Sequence, residues 1–438
     1  MKIRQETGWL FRVALFFLLL SSSSAVWADS EDILSKFHPY ITVREDYSNN
    51  INLTATNKKS DFITVVSPGL KFSTSEKTYG MDMDFNAGFN IYAKEEDKNY
   101  ISLLGNLNTW YALTPRLMFR VREYIIRSDE VYEPDYSATA IPGTNLIQRE
   151  FRRTPYIRNV VEPSVEYRFG VQNAISINYQ NNLYNTQSRT SEDSMENFIS
   201  PKLTYWFDIR NGISLEYGLT LGNFQRSPDL VGNMAVGRYT HRFNPKTSIF
   251  AEYTQLWRNF QGPRIDYNVY RPSIGIEHAF TPTLSSKVQV GYYWADPNKG
   301  SSVNAPFYDI LITQRAQRTT YTLGFQGGYT ENFFTAENRG FTQYHRALGR
   351  INHEPLKRVN VGLFSSFEWS KNVNAINLLT GRVTEIDRIW SIGGNAGYQL
   401  LKWLTLSLDL SYRENFSNIN TADYSEYRGM FSITATYN

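Results

Sequence analysis

Along positions 79–94 apolar and polar residues alternate without a break. Tyr79, Met81, Met83, Phe85, Ala87, Phe89, Ile91 and Ala93 fall on one parity, and Gly80, Asp82, Asp84, Asn86, Gly88, Asn90, Tyr92 and Lys94 on the other. A strand sends successive side chains to opposite faces, whereas a helix returns to one face only every three or four positions, so the whole run predicts a single long strand. The pattern returns at the far end. Leu404, Leu406, Leu408, Leu410 and Tyr412 oppose Thr405, Ser407, Asp409, Ser411 and Arg413, and Phe431, Ile433, Ala435 and Tyr437 oppose Ser432, Thr434, Thr436 and Asn438. Stretches 213–221, 284–294, 321–329 and 359–369 repeat it with small residues on the second face. These runs exceed the usual strand of about 5 to 6 residues and reach the roughly 9 to 11 that a tilted strand needs to cross a bilayer.

An aromatic residue stands just before a compact turn at regular intervals: Phe169-Gly-Val-Gln-Asn, Phe207-Asp-Ile-Arg-Asn, Phe243-Asn-Pro-Lys-Thr and Phe280-Thr-Pro-Thr-Leu. Each interval holds two long strands, one tight turn and one longer connection. Leu113-Thr-Pro-Arg-Leu, Arg315-Ala-Gln-Arg, His353-Glu-Pro-Leu-Lys and Leu400-Leu-Lys-Trp continue the tight series, and 47–61, 127–153, 186–197, 296–304 and 371–385 are the loose one. With that parity the chain is expected to be all-β: a transmembrane antiparallel up-and-down β-barrel of about 20 strands (range roughly 16–22), because only a closed sheet satisfies edge N–H and C=O groups in hydrocarbon. An even count places both termini at the short-turn side, which is the periplasmic side of bacterial outer-membrane barrels.

The first 28 residues differ from the rest. Lys2 and Arg4 precede an apolar run at 13–20 and small or apolar residues at Val26, Trp27 and Ala28, the layout of a cleaved signal peptide. The expected organisation is therefore 1–28 signal peptide and 29–438 barrel, in the outer membrane of a Gram-negative cell.

Composition then narrows the chemistry. There is no Cys, which excludes disulfide scaffolds, Cys–zinc sites, thiol catalysis and covalent haem attachment through Cys. With 45 Lys plus Arg against 42 Asp plus Glu, nothing electrostatic points to nucleic acid. A mean hydropathy of -0.43 beside 27 Phe, 30 Tyr and 9 Trp fits strands that give one face to lipid and the other to water. Of the five histidines, His38 and His353 fall at turns, and His241, His278 and His345 fall on the apolar, lipid-side parity. No Ser-His-acid set, metal spacing or phosphate loop stands out, so an enzyme is not expected and neither is a cofactor.

The polar parity supplies the candidate pore lining: Arg120, Arg122, Tyr124, Arg158, Glu166, Arg168, Arg238, Arg242, Arg271, Arg346 and Arg350. Guanidinium groups bind carboxylate and phosphate bidentately and a ring of them favours anions, although a large wetted wall also needs charges for its own sake and acids such as Glu162, Glu216, Glu252 and Glu277 are interleaved. The longest loop, 127–153, carries Asp129, Glu130, Glu133 and Asp135. If it folds into the barrel, as a long third loop does in general porins, those acids form the constriction.

Tyr40-Ile-Thr-Val-Arg-Glu-Asp-Tyr-Ser-Asn-Asn-Ile51, Lys59-Ser-Asp-Phe-Ile-Thr-Val-Val-Ser-Pro-Gly-Leu-Lys71 and Tyr329-Thr-Glu-Asn-Phe-Phe-Thr-Ala-Glu-Asn-Arg-Gly-Phe341 resemble the porin-like outer-membrane β-barrels associated with exopolysaccharide export loci. The resemblance implies a channel for small polar solutes or exported polysaccharide, lipid around it and export-machinery proteins as partners. Its alternative is a sheath or assembly scaffold in an exopolysaccharide or porin–cytochrome complex, without free diffusion. It brings no catalytic residues.

Overall fold

The computed structural model describes residues 35–130, 132–134, 145–147, 153–187, 191–335, 338–373 and 384–437; the expected signal peptide lies outside them. The chain forms β1 (Phe37–Ser48), β2 (Asp61–Ser75), β3 (Tyr79–Tyr92), β4 (Tyr100–Thr114), β5 (Leu117–Ser128), β6 (Tyr132–Pro134), β7 (Asn145–Ile147), β8 (Tyr156–Arg168), β9 (Ala174–Thr186), β10 (Ser194–Trp206) and β11 (Asn211–Phe224). It continues through β12 (Leu230–Asn244), β13 (Thr247–Phe260), β14 (Tyr267–Ala279), β15 (Leu284–Pro297), β16 (Val303–Arg315), β17 (Thr319–Asn332), β18 (Gly340–Leu356), β19 (Val359–Asn372), β20 (Ile386–Leu401), β21 (Leu404–Ser417) and β22 (Tyr424–Thr436). Twenty of these make one sheet, each pairing antiparallel with its chain neighbours, and β22 closes on β1 from Tyr40↔Thr436 to Ser48↔Arg428. Strands β6 and β7 form a separate ribbon within the long β5–β8 connection. Among the described residues no helix is long and apolar enough to cross a membrane.

Every strand divides its residues between two environments. On β3 the outward Phe85, Phe89 and Ile91 are 43–50% exposed while the inward Asn90 and Tyr92 are 5% and 1% exposed. The same parity runs round the barrel, with Ile177, Leu215, Tyr253, Ile274, Leu323, Trp390 and Phe431 outward. β3 ends at Tyr92, short of the alternation that runs on to Lys94. There the Asp61 carboxylate accepts from the N–H groups of Lys94 and Glu95 and turns the chain out of the sheet.

The periodic turns have a side-chain cause. Asp208 accepts from the backbone N–H groups of Arg210 and Asn211, Thr114 from Arg116 and Leu117, and Thr281 from Thr283 and Leu284, so each polar residue closes its own turn. The preceding Phe207 and Phe280, 59% and 56% exposed, form part of the aromatic belt at this short-turn rim with Phe169, Phe243 and Trp403. Ladder irregularities also gather at this rim, at Ala112/Thr114, Arg242/Asn244, His353/Leu356 and Gln399/Leu401, where bulges let a barrel strand end and turn.

One seam departs from the regular pattern. β16 and β17 pair only from Tyr308↔Gly327 to Arg315↔Thr320, although β16 starts at Val303 and β17 runs on to Asn332. At the upper limit of the pairing the Tyr308 ring stacks on His345, with its hydroxyl 2.9 Å from Nδ1, and passes over Gly327; a Cβ there would lie 2.4 Å from the ring. Gly327→Ala should therefore force that bridge apart and lower barrel stability by about 1–3 kcal/mol, the usual size of an overpacking defect. The measurement is the temperature at which the folded barrel's gel mobility changes, and an unchanged temperature would show that Tyr308 moves aside freely.

Candidate functional site

The inner face of the barrel is polar, and its charges are largely answered on neighbouring strands. Arg122 meets Glu162 at 2.8 Å, Arg168 meets Glu166 at 2.6 Å, Arg346 meets Glu368 at 2.7 Å, and Lys202 and Lys287 meet Glu216 and Asp309. Arg238 lies 3.0 Å from Glu277 and over the Phe250 ring, while Arg271 shares Glu252 with it and covers Phe307. Arg158 donates to Asn182 and Arg350 to Asn352. Tyr124 is buried on the same face. Arg120 and Arg242 have no carboxylate partner among the described residues; Arg242 lies on the Trp206 ring and donates to Gln172. Aromatic rings inside the barrel lie against glycines of the next strand: Tyr40 over Gly69, Trp110 over Gly80 and Trp206 over Gly212. Side chains at these glycines would push the rings into the lumen.

At the long-loop end residues 329–335 and 338–341 of the β17–β18 hairpin pack against strands β11–β15. Above Gly327 the hairpin leaves β16 and lies inside the barrel against the inner wall of β12–β15. Tyr329 stacks on Phe341 at 5.0 Å, and Phe341 packs edge-on to Tyr267 and beside Tyr293. Phe333 meets Phe260, and Phe334 reaches Phe224 on β11. With Leu230, Leu256, Val269 and Ala295 from the wall these rings form the largest buried apolar cluster, in which Val269, Tyr293, Ala295 and Phe341 have no exposed surface.

Polar contacts anchor the tip. Glu331 takes the Arg258 guanidinium at 2.6 Å and accepts from the Tyr267 hydroxyl, and Gln343 donates to the Tyr293 hydroxyl at 2.7 Å. Further out, Asn338, in the left-handed conformation with φ 41, donates to Glu192 at 2.6 Å and to Ser227, and accepts from Arg264. Arg339 meets Asp387 and Glu385. The Glu192 carboxyl lies outside the strands. Burial alone would raise it, but donors from Ser227, Asn338 and Arg226 hold it below its ordinary value.

Continuing the β16–β17 register shows why the hairpin turns inward. Tyr329 would face Pro306 and Glu331 would face Asn304, both exposed on the lipid side. Pro306 has no N–H to offer, and a carboxylate at Glu331 would lose Arg258 to face hydrocarbon.

A family model described as "Putative beta-barrel porin 2" matches residues 218–437, half of the chain and the part that contains this hairpin. The chain belongs to that porin family. Among solved structures, the outer-membrane protein opdK of Pseudomonas aeruginosa is 12% identical over 92% of this chain and 99% of its own, with a TM-score of 0.42. OccAB2 of Acinetobacter baumannii is 11% identical over 92% and 98%, with a TM-score of 0.42. A BenF-like porin from Pseudomonas fluorescens Pf-5 is 11% identical over 92% and 100%, with a TM-score of 0.44. No curated protein matches. A porin-like barrel of the Gram-negative outer membrane, rather than one of the barrel hydrolases, is what the family and fold support. In this porin His241, His278 and His345 face the lipid side, and His38 and His353 lie in β1 and β18 rather than in turns.

The acids of the porin's third long loop divide. Asp135 lies outside the described residues, and only the backbone of Glu133 is described. Asp129 and Glu130 are held at the loop's base, against the closure seam. Arg153, with its side chain 1% exposed, lies 3.5 Å from Asp129 and 3.2 Å from Glu130, and donates to the Ile51 carbonyl and the Tyr92 hydroxyl. Arg428 on β22 bridges Glu130 and Asp46, and Asp46 also takes Arg44 at 2.7 Å. These two carboxylates therefore do not stand free opposite an arginine wall. Among the described residues, those that pack inside the barrel at this end are 329–335 and 338–341, for which the Phe333-Phe334 pair in a connection is a legible signal beside the family resemblance.

Proposed function

We propose that this porin passes polar, hydroxyl-rich solutes, of the oligosaccharide or exported-polysaccharide class, through a lumen narrowed by the β17–β18 hairpin. The observation that carries the reading is the inner wall: many of its cations are matched by carboxylates on the same or nearby strands, so the wall is wet without strong net preference for either sign. Rings seated over glycines, such as Trp110 over Gly80, add apolar surface for the C–H faces of sugars, beside charged groups that bond hydroxyls. In this reading 1–28 is removed on export, 29–438 is the barrel, the short turns and both termini face the periplasm, and Arg120, Arg122, Tyr124, Arg158, Glu166, Arg168, Arg238, Arg242, Arg271, Arg346 and Arg350 line the path. Asp129 and Glu130 brace the mouth.

Reconstituted barrels should admit neutral oligosaccharides in a vesicle-swelling assay and show only weak anion over cation preference in planar bilayers. Strong anion selectivity would sink the neutral-solute reading. Neither swelling nor conductance would leave the sheath or scaffold role instead.

A further inference from the structure

The seam between β16 and β17 carries more than a local irregularity. Five residues of β16, 303–307, keep their pairing to β15 but have no partner on the other side, and the facing run of β17, 328–332, is the same length and pairs only with β18. The unused edge and the unused strand are complementary in register: Phe307 would face Gly328, Ala305 would face Thr330 and Val303 would face Asn332. Gly328 remains beside Phe307 in the inward position, where a Cβ would be 3.0 Å from the ring, so Gly327 and Gly328 lie at a pivot rather than at a clean break.

We propose that the β17–β18 hairpin is a two-state gate, docked inside the barrel in this structure and able to zip onto the free edge of β16 and clear the lumen. Each state satisfies something the other leaves open. Docking buries Phe341 and Tyr329 and pairs Glu331 with Arg258, while zipping gives residues 303–307 of β16 a second partner strand, less the one N–H that Pro306 lacks, and carries the Tyr329 face out toward lipid. A solute that needs the space the docked hairpin fills binds the zipped form alone, which biases the equilibrium toward it. The role as gate rests on the channel reading above; the existence of the second state does not.

The absence of cysteine makes the test direct. The A305C/T330C pair meets only in the zipped state, whereas D309C/Q326C, paired in the existing ladder, serves as a positive control. Under mild oxidation in the membrane A305C/T330C should form a disulfide, severalfold faster when E331Q is added, and the oxidised protein should conduct more than the same protein after reduction. Heat-modifiable gel mobility checks that each variant is a folded barrel. If the control crosslinks and A305C/T330C does not, with or without E331Q, the second state does not exist. Equal conductance before and after reduction would overturn the gating role. A disulfide at the expected rate with no conductance in either form would support the two states and remove the channel reading.

Discussion

Replacing Phe341 by alanine should open this porin while leaving its barrel intact. Phe341 has no exposed surface and touches Tyr267, Tyr293 and Tyr329, so its truncation removes a ring from the centre of the docked hairpin. Large-to-small changes at such positions cost about 3–5 kcal/mol. The twenty-strand ladder does not depend on that contact: β18 keeps its pairing to β19, and the closure between β1 and β22 lies elsewhere on the ring. The loss therefore falls on hairpin docking. At tenfold per 1.4 kcal/mol, the undocked population should rise roughly a hundredfold to a few thousandfold. In planar bilayers this appears as larger or much longer openings than wild type, with the temperature of the gel mobility shift little changed. Unchanged conductance in a folded barrel would mean that the hairpin is not what narrows the lumen.

The barrel was legible because each strand repeats one physical instruction: apolar to lipid, polar to water, with an aromatic residue where the chain leaves the membrane. Strand number follows from counting turns such as Phe207-Asp-Ile-Arg-Asn, whose Asp208 closes the turn with its own carboxylate. What crosses the lumen was not legible. Loop length and acids single out 127–153, and neither property points to the residues beyond Gly327, because the position of a loop depends on which wall it can pack against. Tyr329 and Phe341 fall on a parity that reads as lipid-facing, and only the loss of pairing beyond Gly327 brings them inside. Burial of the same rings by Tyr267 and Tyr293 involves strands far away in sequence, which no local pattern announces. The short runs that carry the family resemblance point to the same places: 329–335 and 338–341 lie in the inward hairpin, and 40–51 contributes Arg44, Asp46, Ser48, Asn50 and Ile51 to the closure seam.

That seam gives the second large effect. Arg153→Met should destabilise the mouth by about 3–5 kcal/mol at neutral pH, the usual result of stranding a buried charge, because Asp129 and Glu130 lose the guanidinium between them. The defect should depend on pH, and its sign follows from the two carboxyls. Burial alone would raise Glu130, but Arg153, Arg428 and Arg44 hold it well below the ordinary range, so its contribution is present above about pH 4.3 and is lost only as pH falls through the lowered value. Asp129 is pushed up, by burial first and against the pull of Arg153, so proton uptake there favours the folded mouth as pH falls. The wild-type network should consequently hold through mild acid. In Arg153→Met Asp129 loses its cation and Glu130 keeps only Arg428 and the more distant Arg44, so both carboxyls protonate more readily, which relieves the stranded charge. The stability gap between variant and wild type, read from urea unfolding in vesicles, should be widest near pH 7 and narrow toward pH 4. A gap that stays constant over that range would mean that Arg153 acts through its packing against Ile51 and Tyr92 rather than through its charge.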